Sequence, residues 1–261
     1  MELRLNGKTA LVCGSTAGIG KATAIELASL GANIVLLARN PEKLKQTLDA
    51  LPRELNQTHD FMAVDFRDTH AFKSTVEALV KKHQIHLLIN NTGGPASGPA
   101  FDADPQQYAS AFAQHLLCNQ ILVQGIVPSM KQAGYGRIIN VISTSVKQPI
   151  ENLGVSNTIR GAVANWSKTL SAELGPFGIT VNNVLPGFTA TDRLEDIVNS
   201  AAKRLNKTTE QARDFMTSVV PARRFAQAEE IAFGIAFLCS PAAGYINGIN
   251  LPIDGGRTKS L

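Results

Sequence analysis

Short runs of apolar, often β-branched residues alternate along the chain with longer segments in which apolar and polar residues are mixed. Most of the runs lack the strict apolar–polar alternation of half-exposed strands, so we expect helices to cover both faces of their sheet. The runs predict strands over residues 8–13, 33–38, 61–64, 86–90, 137–142, 179–185 and 249–254. The segments between them predict helices near residues 18–30, 41–51, 69–83, 105–133, 153–174 and 228–239.

Repeated strand–helix units with right-handed crossovers predict an α/β fold with a doubly wound parallel sheet of about seven strands. The chain shows no Pro-, Gly- or Ser-rich linker and no internal repeat, which predicts one domain over residues 1–261. Ligands of such sheets bind beyond the carboxyl ends of the strands. This rule points to residues 14–20, 39–40, 65, 91–95, 143–145 and 186–191.

The composition limits the classes of partner. With 25 basic and 21 acidic residues among 261, the net charge is +4, and the basic residues are scattered. That distribution favours an ordinary solvated surface over a nucleic-acid interface, although a mildly basic protein suits an anionic cofactor or carrier.

The three cysteines and the apolar segments indicate the cellular setting. Cys13, Cys118 and Cys239 lie far apart in apolar surroundings, which predicts reduced core residues, with neither a disulfide framework nor a metal site. The charged N-terminus does not resemble a signal peptide, and the longest apolar stretch, "IAFGIAFLC", is too short to span a bilayer. We therefore expect a cytoplasmic protein without a membrane partner.

The stretch "CGSTAGIG" follows the first predicted strand and begins a helix. Gly14 permits a tight turn, Gly18 lets the backbone approach a pyrophosphate, and Gly20 lets helix and strand pack closely. The free N–H groups and partial positive charge of the helix N-terminus suit phosphate groups. A glycine-rich turn alone is weak evidence, but its place in the first strand–helix unit favours a dinucleotide.

The spacing of these glycines resembles that of the short-chain dehydrogenase/reductase family, and so do "NNTGG" (90–94), "VDF" (64–66), "LPGFTAT" (185–191) and "YINGINLPIDGG" near the C-terminus. Among its branches, the chain is most similar to the 3-oxoacyl-acyl-carrier-protein reductases. The resemblance implies a Rossmann-type fold, an oxidoreductase and a nicotinamide cofactor. It also implies cofactor contacts at Gly14, Ser15, Thr16, Gly18, Ile19, Gly20, Arg39, Asp65, Asn91, Thr92, Gly93, Arg160, Pro186, Gly187, Thr189 and Thr191.

The end of the second strand, "LLARN", bears on the choice between NAD(H) and NADP(H). An NAD site places a carboxylate there for the adenosine ribose, but Ala38 occupies this position and Arg39 follows. An arginine can form forked, charge-assisted hydrogen bonds with a 2′-phosphate. The alternative is that Arg39 is an ordinary flank of the helix that begins at Pro41, but we favour NADP(H).

The resemblance implies four catalytic positions, and three of them are altered. Ser143 matches the family serine after the fifth strand, whereas Ser156 and Arg160 stand where the family has its proton-donating Tyr and its Lys. His115 stands in place of an Asn. Serine is a far weaker acid than a phenol, and arginine stays protonated. His115 could donate a proton near neutral pH, although a histidine packed within a long helix is the alternative.

Two functions therefore remain open from the sequence. The first is a reductase that transfers hydride between NADP(H) and a carbonyl/alcohol pair, with a 3-oxoacyl thioester among the candidate substrates. The second is a nucleotide-binding pseudoenzyme that acts as a sensor or assembly subunit.

Two surface features complete the expectations. Residues 188–220 predict a helical substrate lid with Thr208 as an N-cap. The family resemblance implies that this segment largely determines substrate selectivity. The helix near 228–239 carries apolar residues at every second position, including Ile231, Phe233, Ile235 and Phe237. Such residues spread around the helix, which predicts a partner subunit in a homodimer or homotetramer.

Overall fold

The computed structural model describes residues 1–260, so Leu261, the last residue of the predicted domain, lies outside the described residues. Seven strands form one sheet in the order β3-β2-β1-β4-β5-β6-β7, and every neighbouring pair is parallel. The strands are β1 (Thr9–Cys13), β2 (Asn33–Ala38), β3 (His59–Ala63), β4 (Leu87–Asn90), β5 (Gly136–Val141), β6 (Ile179–Pro186) and β7 (Asn250–Ile253). The predicted fold class is confirmed.

Nine α-helices connect or flank these strands within residues 1–260. They are α1 (Gly18–Ser29), α2 (Pro41–Asp49), α3 (Thr69–Lys82), α4 (Pro105–Phe112), α5 (Cys118–Ala133), α6 (Gly154–Leu174), α7 (Asp192–Leu205), α8 (Thr209–Ser218) and α9 (Ala228–Cys239). A π-helical segment, Ala113–Leu117, joins α4 to α5, and short 3₁₀ turns occupy Thr144–Val146, Gly175–Phe177 and Pro241–Ala243. No helix of this part of the chain is long and apolar enough to cross a membrane.

Two large apolar clusters lie on opposite faces of the sheet. One includes α1 and α9, with Leu27 and Ile235 fully buried, and the other includes α3 and α5, with Phe72 and Leu122 fully buried. This arrangement explains why the sequence of the central strands is apolar without alternation. The sheet is therefore covered by helices on both faces, as expected.

The edge strand β3 differs from its prediction. It begins at His59, two residues before the predicted start, and ends at Ala63. Its polar residues are used at the sheet edge, where Asp60 pairs with Lys82 and His83. Because β3 is only partly buried, its first residues need not be apolar. A prediction based on the run of apolar residues therefore missed them.

The three cysteines are buried and free. Burial raises the pKa of all three thiols, to about 12 for Cys118 and Cys239. They lie in different layers, at the end of β1, the start of α5 and the end of α9. Their predicted role as reduced core residues agrees with this placement.

Candidate active site

The carboxyl ends of the central strands form one edge, where the strand order reverses between β1 and β4. A reversal of this kind opens a crevice, because the connections from the two strands run in opposite directions. The loops after β1, β4, β5 and β6 carry most of the predicted site residues to this crevice.

The turn after β1 is shaped by glycines that no other residue could replace without displacing the backbone. Gly14 and Gly18 have left-handed φ angles of 58° and 51°. A Cβ on Gly20 would lie 2.2 Å from the carbonyl oxygen of Gly14, and one on Gly14 would lie 2.5 Å from the carbonyl oxygen of Asn91. Residues 14–20 therefore form a compact backbone cradle.

The cradle fits the phosphates of a dinucleotide. The N-cap residue of α1, Ala17, makes no side-chain capping hydrogen bond, and the first turn of α1 contains no acidic residue. The N–H groups at this helix end are therefore available to an anion, which the helix dipole also favours. Ser15 lies in the same turn, fully buried, with a hydroxyl that has no partner within the described residues.

The loop after β4 braces the cradle. The Asn91 side chain donates hydrogen bonds of 3.3 Å to the carbonyl oxygens of Cys13 and Gly14. The first residues of the lid also pack here, since a Cβ on Gly18 would lie 2.9 Å from Cγ2 of Thr191. The motifs at residues 14–20, 91–95 and 186–191 are thus neighbours in space.

At the other end of the crevice, Arg39 follows β2 and Asp65 follows β3. Asp65 forms an ion pair of 2.6 Å with Arg67, whose hydrogen bonds hold the pKa of this carboxyl below its usual range, and Arg39 contributes to the same shift. Arg39 is exposed and forms no ion pair among residues 1–260. Sequence reasoning missed Arg67, although a basic residue two positions after an Asp at a strand end was a visible signal.

A cavity of about 560 Å³ adjoins the crevice beyond β5 and β6, and we call it the reaction cavity. Ser143, Ser156 and Arg160 all line it, so three of the four predicted catalytic residues are brought together. The Ser143 hydroxyl oxygen accepts a hydrogen bond of 3.1 Å from the N–H of Ser145, which leaves its own proton free to be donated. None of the three tyrosines lines the cavity.

Arg160, which lines the reaction cavity, is buried, with 8% of its surface exposed. Its Nη1 donates a hydrogen bond of 3.1 Å to the carbonyl oxygen of Val141 in β5. Burial, together with the nearby charge of Arg193, lowers the pKa of Arg160 to about 10. The guanidinium is still charged at neutral pH and supplies a fixed positive charge.

His115 lies in the π-helical segment, outside the residues that line the reaction cavity. Its Nδ1 is hydrogen-bonded to Oγ1 of Thr92 at 2.6 Å. Burial, and then the positive charges of Arg160 and Arg193, lower the pKa of His115 to about 3. This lowered pKa argues against proton donation by His115 near neutral pH and favours the alternative of a packed histidine, because the protonated form is disfavoured in this positive, desolvated position.

The lid comprises two helices, α7 and α8, which share a small apolar core that includes Val198 and Ala212. Thr208 caps α8 in a capping box with Gln211, as predicted. Arg193, in the first turn of α7, donates from Nη1 to the carbonyl oxygen of Gly94 at 2.9 Å and from Nη2 to that of Pro95 at 3.0 Å. The lid is thereby attached to the loop after β4.

Sequence reasoning also missed Arg193 and Arg257. Arg193 follows the predicted turn at residues 186–191 by two positions, and Arg257 stacks 4.4 Å from the centre of the Phe188 ring. A basic side chain in the first turn of a helix opposes the helix dipole, so Arg193 was an unusual residue at its position. Both residues line the reaction cavity.

The amino-acid sequence matches one family model and is similar to curated proteins of known activity. Residues 14–258 match the family described as enoyl-(acyl carrier protein) reductase. The NADPH-dependent reductase BacG of Bacillus subtilis (strain 168) is 31% identical over 259 residues, which cover 98% of this chain and all of BacG. The 3-oxoacyl-[acyl-carrier-protein] reductase FabG of Haemophilus influenzae is 32% identical and covers 97% of this chain, which spans 98% of FabG.

Solved structures give the same result for the fold. The NADPH-dependent reductase YwfH, involved in bacilysin biosynthesis, is 32% identical with a TM-score of 0.91 and covers 97% of this chain and 99% of its own. L-sorbose reductase from Gluconobacter frateurii, complexed with NADPH and L-sorbose, is 29% identical with a TM-score of 0.92 and full coverage of both chains.

Proposed function

The chain belongs to the short-chain dehydrogenase/reductase family, and on that premise we propose that it is an NADP(H)-dependent oxidoreductase that reduces a carbonyl compound. The relatives named for NADPH-dependent reduction favour catalysis over the alternative of a nucleotide-binding protein without turnover. The proposal depends above all on one observation, the convergence of Ser143, Ser156 and Arg160 on the reaction cavity beyond the carboxyl ends of β5 and β6.

In this proposal the cofactor lies along the crevice. Residues 14–20 hold the pyrophosphate, Arg39 the 2′-phosphate, and Asp65 the adenine. Arg160 would hold the nicotinamide ribose, and residues 91–93 would contact the middle of the cofactor. The nicotinamide end would be held by Pro186, Gly187, Thr189 and Thr191. Residues 1–261 act as one dinucleotide-binding and catalytic domain.

NADPH, when bound, supplies the hydride for the carbonyl carbon of the substrate. The hydroxyls of Ser143 and Ser156 donate hydrogen bonds to the carbonyl oxygen, and the positive charge of Arg160 stabilises the negative charge that develops there. No phenol is available within this cavity to protonate that oxygen, so water delivers the proton. The substrate is a small carbonyl compound or an acyl thioester.

Steady-state NADPH oxidation with a panel of ketones and 3-oxoacyl thioesters tests this proposal. General acid catalysis contributes about 10²–10⁴-fold, so turnover should fall short of ordinary family reductases by a factor of that size. Ser143→Ala should lower it further, and Ser156→Tyr combined with Arg160→Lys should raise it. Undiminished turnover in Ser143→Ala would show that the reaction occurs elsewhere.

We also propose that the chain forms a homodimer or homotetramer through α9. Ile231 and Ile235 are fully buried on the inner side of this helix, whereas Phe233 on its outer side is 55% exposed. Phe237, one turn further along, is only half-buried, so two aromatic side chains together make this part of α9 apolar, which suits a subunit interface. Sedimentation of wild type as a stable monomer at micromolar concentration would contradict this arrangement.

A further inference from the structure

The charges around the reaction cavity are strongly unbalanced. Within residues 1–260, five basic side chains line it and one acidic side chain, Glu151, does so. The basic residues are Arg160, Arg193, Arg204, Arg257 and Lys259. Glu151 lies 3.5 Å from Arg204, and the charge of Asp254 acts on Arg257, so two of the five charges have an acidic neighbour. A neutral ketone does not require this excess of positive charge.

Arg193 differs from the other arginines of the lid helices. Arg204 pairs with Glu151 and Arg213 pairs with Glu195. Arg193 forms no ion pair with any carboxylate in residues 1–260, although the charge of Asp196, one turn further along α7, acts on it from a distance. Among the described residues, its guanidinium donates hydrogen bonds to the carbonyl oxygens of Gly94 and Pro95 alone.

Those two hydrogen bonds position the group in advance. A guanidinium has five N–H donors, so two used on carbonyl oxygens leave three for a ligand. The guanidinium of Arg193 packs closely against the loop after β4, since a Cβ on Gly94 would lie 2.7 Å from Nη2 of Arg193. A donor that is held in place before binding loses little conformational entropy when an anion arrives.

Arg160, which lies in α6, is a second cation without a carboxylate partner among the described residues. It is buried, it lines the same cavity, and its one hydrogen bond within residues 1–260 goes to the carbonyl oxygen of Val141. Arg193 is near enough to lower the pKa of Arg160. Two like charges brought together without a carboxylate are destabilising, and an anion between them relieves the repulsion.

We propose that the carbonyl substrate carries a carboxylate, and that Arg193 is the residue that selects it, with Arg160 strengthening the positive field. This proposal rests on the proposed function, because it assigns the substrate class of the same site. Arg193 acts here as a specificity-determining residue that binds the anionic end of an oxo acid, while Ser143 and Ser156 contact its carbonyl oxygen. The same chemistry would also fit a phosphate of the cofactor, so the test separates the two.

The experiment compares acids with their esters on one protein. Levulinate and 2-oxohexanoate, each beside its methyl ester, are titrated by calorimetry into the complex of the protein with NADP⁺. Hydrogen bonds to charged groups predict that wild type binds at least one acid about ten- to a hundredfold more tightly than its ester. Arg193→Gln should remove that ratio, and Arg193→Lys should keep part of it.

Arg213→Gln, in α8 and outside the residues that line the reaction cavity, is the matched control and should keep the wild-type ratio. Equal binding of acid and ester by wild type, or no binding of either acid, would overturn the proposal. So would an Arg193→Gln variant that weakens acid and ester alike, as expected of a mere lid anchor, or one that weakens NADPH, as expected of a phosphate contact. An acid preference without NADPH turnover would leave this proposal standing and refute the proposed function.

Discussion

One end of the crevice is formed mainly by main-chain atoms and the other end mainly by side chains. The nucleotide end is shaped by main chain, with left-handed φ angles at Gly14 and Gly18 and a carbonyl that leaves no room beside Gly20. The reacting end is shaped by side chains, among them Ser143, Ser156 and Arg160. Side chains can be exchanged while the backbone stays in place. The chemistry can therefore change at one end of the crevice while the other end, and with it nucleotide binding, is retained.

The largest effect should follow a change at the backbone end. Gly20→Ala brings a Cβ to 2.2 Å from the carbonyl oxygen of Gly14, so the cradle must shift. Overpacking of this kind destabilises by roughly 1–3 kcal/mol, and a displaced cradle should lose most of its affinity for NADPH. Chemical denaturation and calorimetry with NADPH measure the two losses.

Gly161→Ala is the matched control, because Gly161 lies within α6 and a Cβ there meets nothing within 4 Å. Alanine is a better helix former than glycine by about 1 kcal/mol, so this variant should be more stable than wild type. If both substitutions change stability and NADPH binding equally, the contrast between the two glycines is wrong.

A smaller effect is expected from a side chain at the nucleotide end. Arg39→Ala should weaken NADPH about ten- to a hundredfold, which corresponds to the loss of a hydrogen bond to a charged group. NADH lacks the 2′-phosphate, so its affinity should be nearly unchanged and serves as the internal control. Parallel losses for both nucleotides, measured by quenching of Trp166 fluorescence, would remove Arg39 from the 2′-phosphate site.

The smallest effect on catalysis should come from His115. With a pKa of about 3, it is neutral throughout the range in which enzymes are usually assayed. His115→Gln should therefore leave the pH dependence of NADPH oxidation unchanged. A profile that loses an ionisation near neutral pH in this variant would restore His115 as the acid.

The same pKa predicts an effect on stability. An unfolded histidine titrates near pH ~6.5, so between that pH and about 3 the unfolded chain binds a proton that native His115 does not. The stability of wild type should therefore fall as the pH is lowered through this window. His115→Gln should lose less stability over the same window, in denaturant titrations at several pH values.

Most of the fold could be predicted because the buried strands of a parallel sheet are apolar along their whole length. The cradle could be predicted because glycine is required at fixed spacing where backbone segments approach closely. The π-helical segment could not, since one wide turn leaves the apolar pattern of residues 105–133 nearly unchanged. The environment of His115 was also hidden, because Arg193, which acts on it, lies far along the chain.

The rates at which the buried cysteines react with an alkylating reagent should report how often the structure around each of them opens. Their raised pKa values leave almost no thiolate near neutral pH, so an alkylating reagent can react only after the surrounding layer opens. Cys13 ends β1 beneath the cradle, whereas Cys239 ends α9 and belongs to the apolar cluster on the other face of the sheet. A bound nucleotide should thus slow the labelling of Cys13 relative to Cys239 wherever opening is local, which turns three chemically silent side chains into reporters of cooperativity.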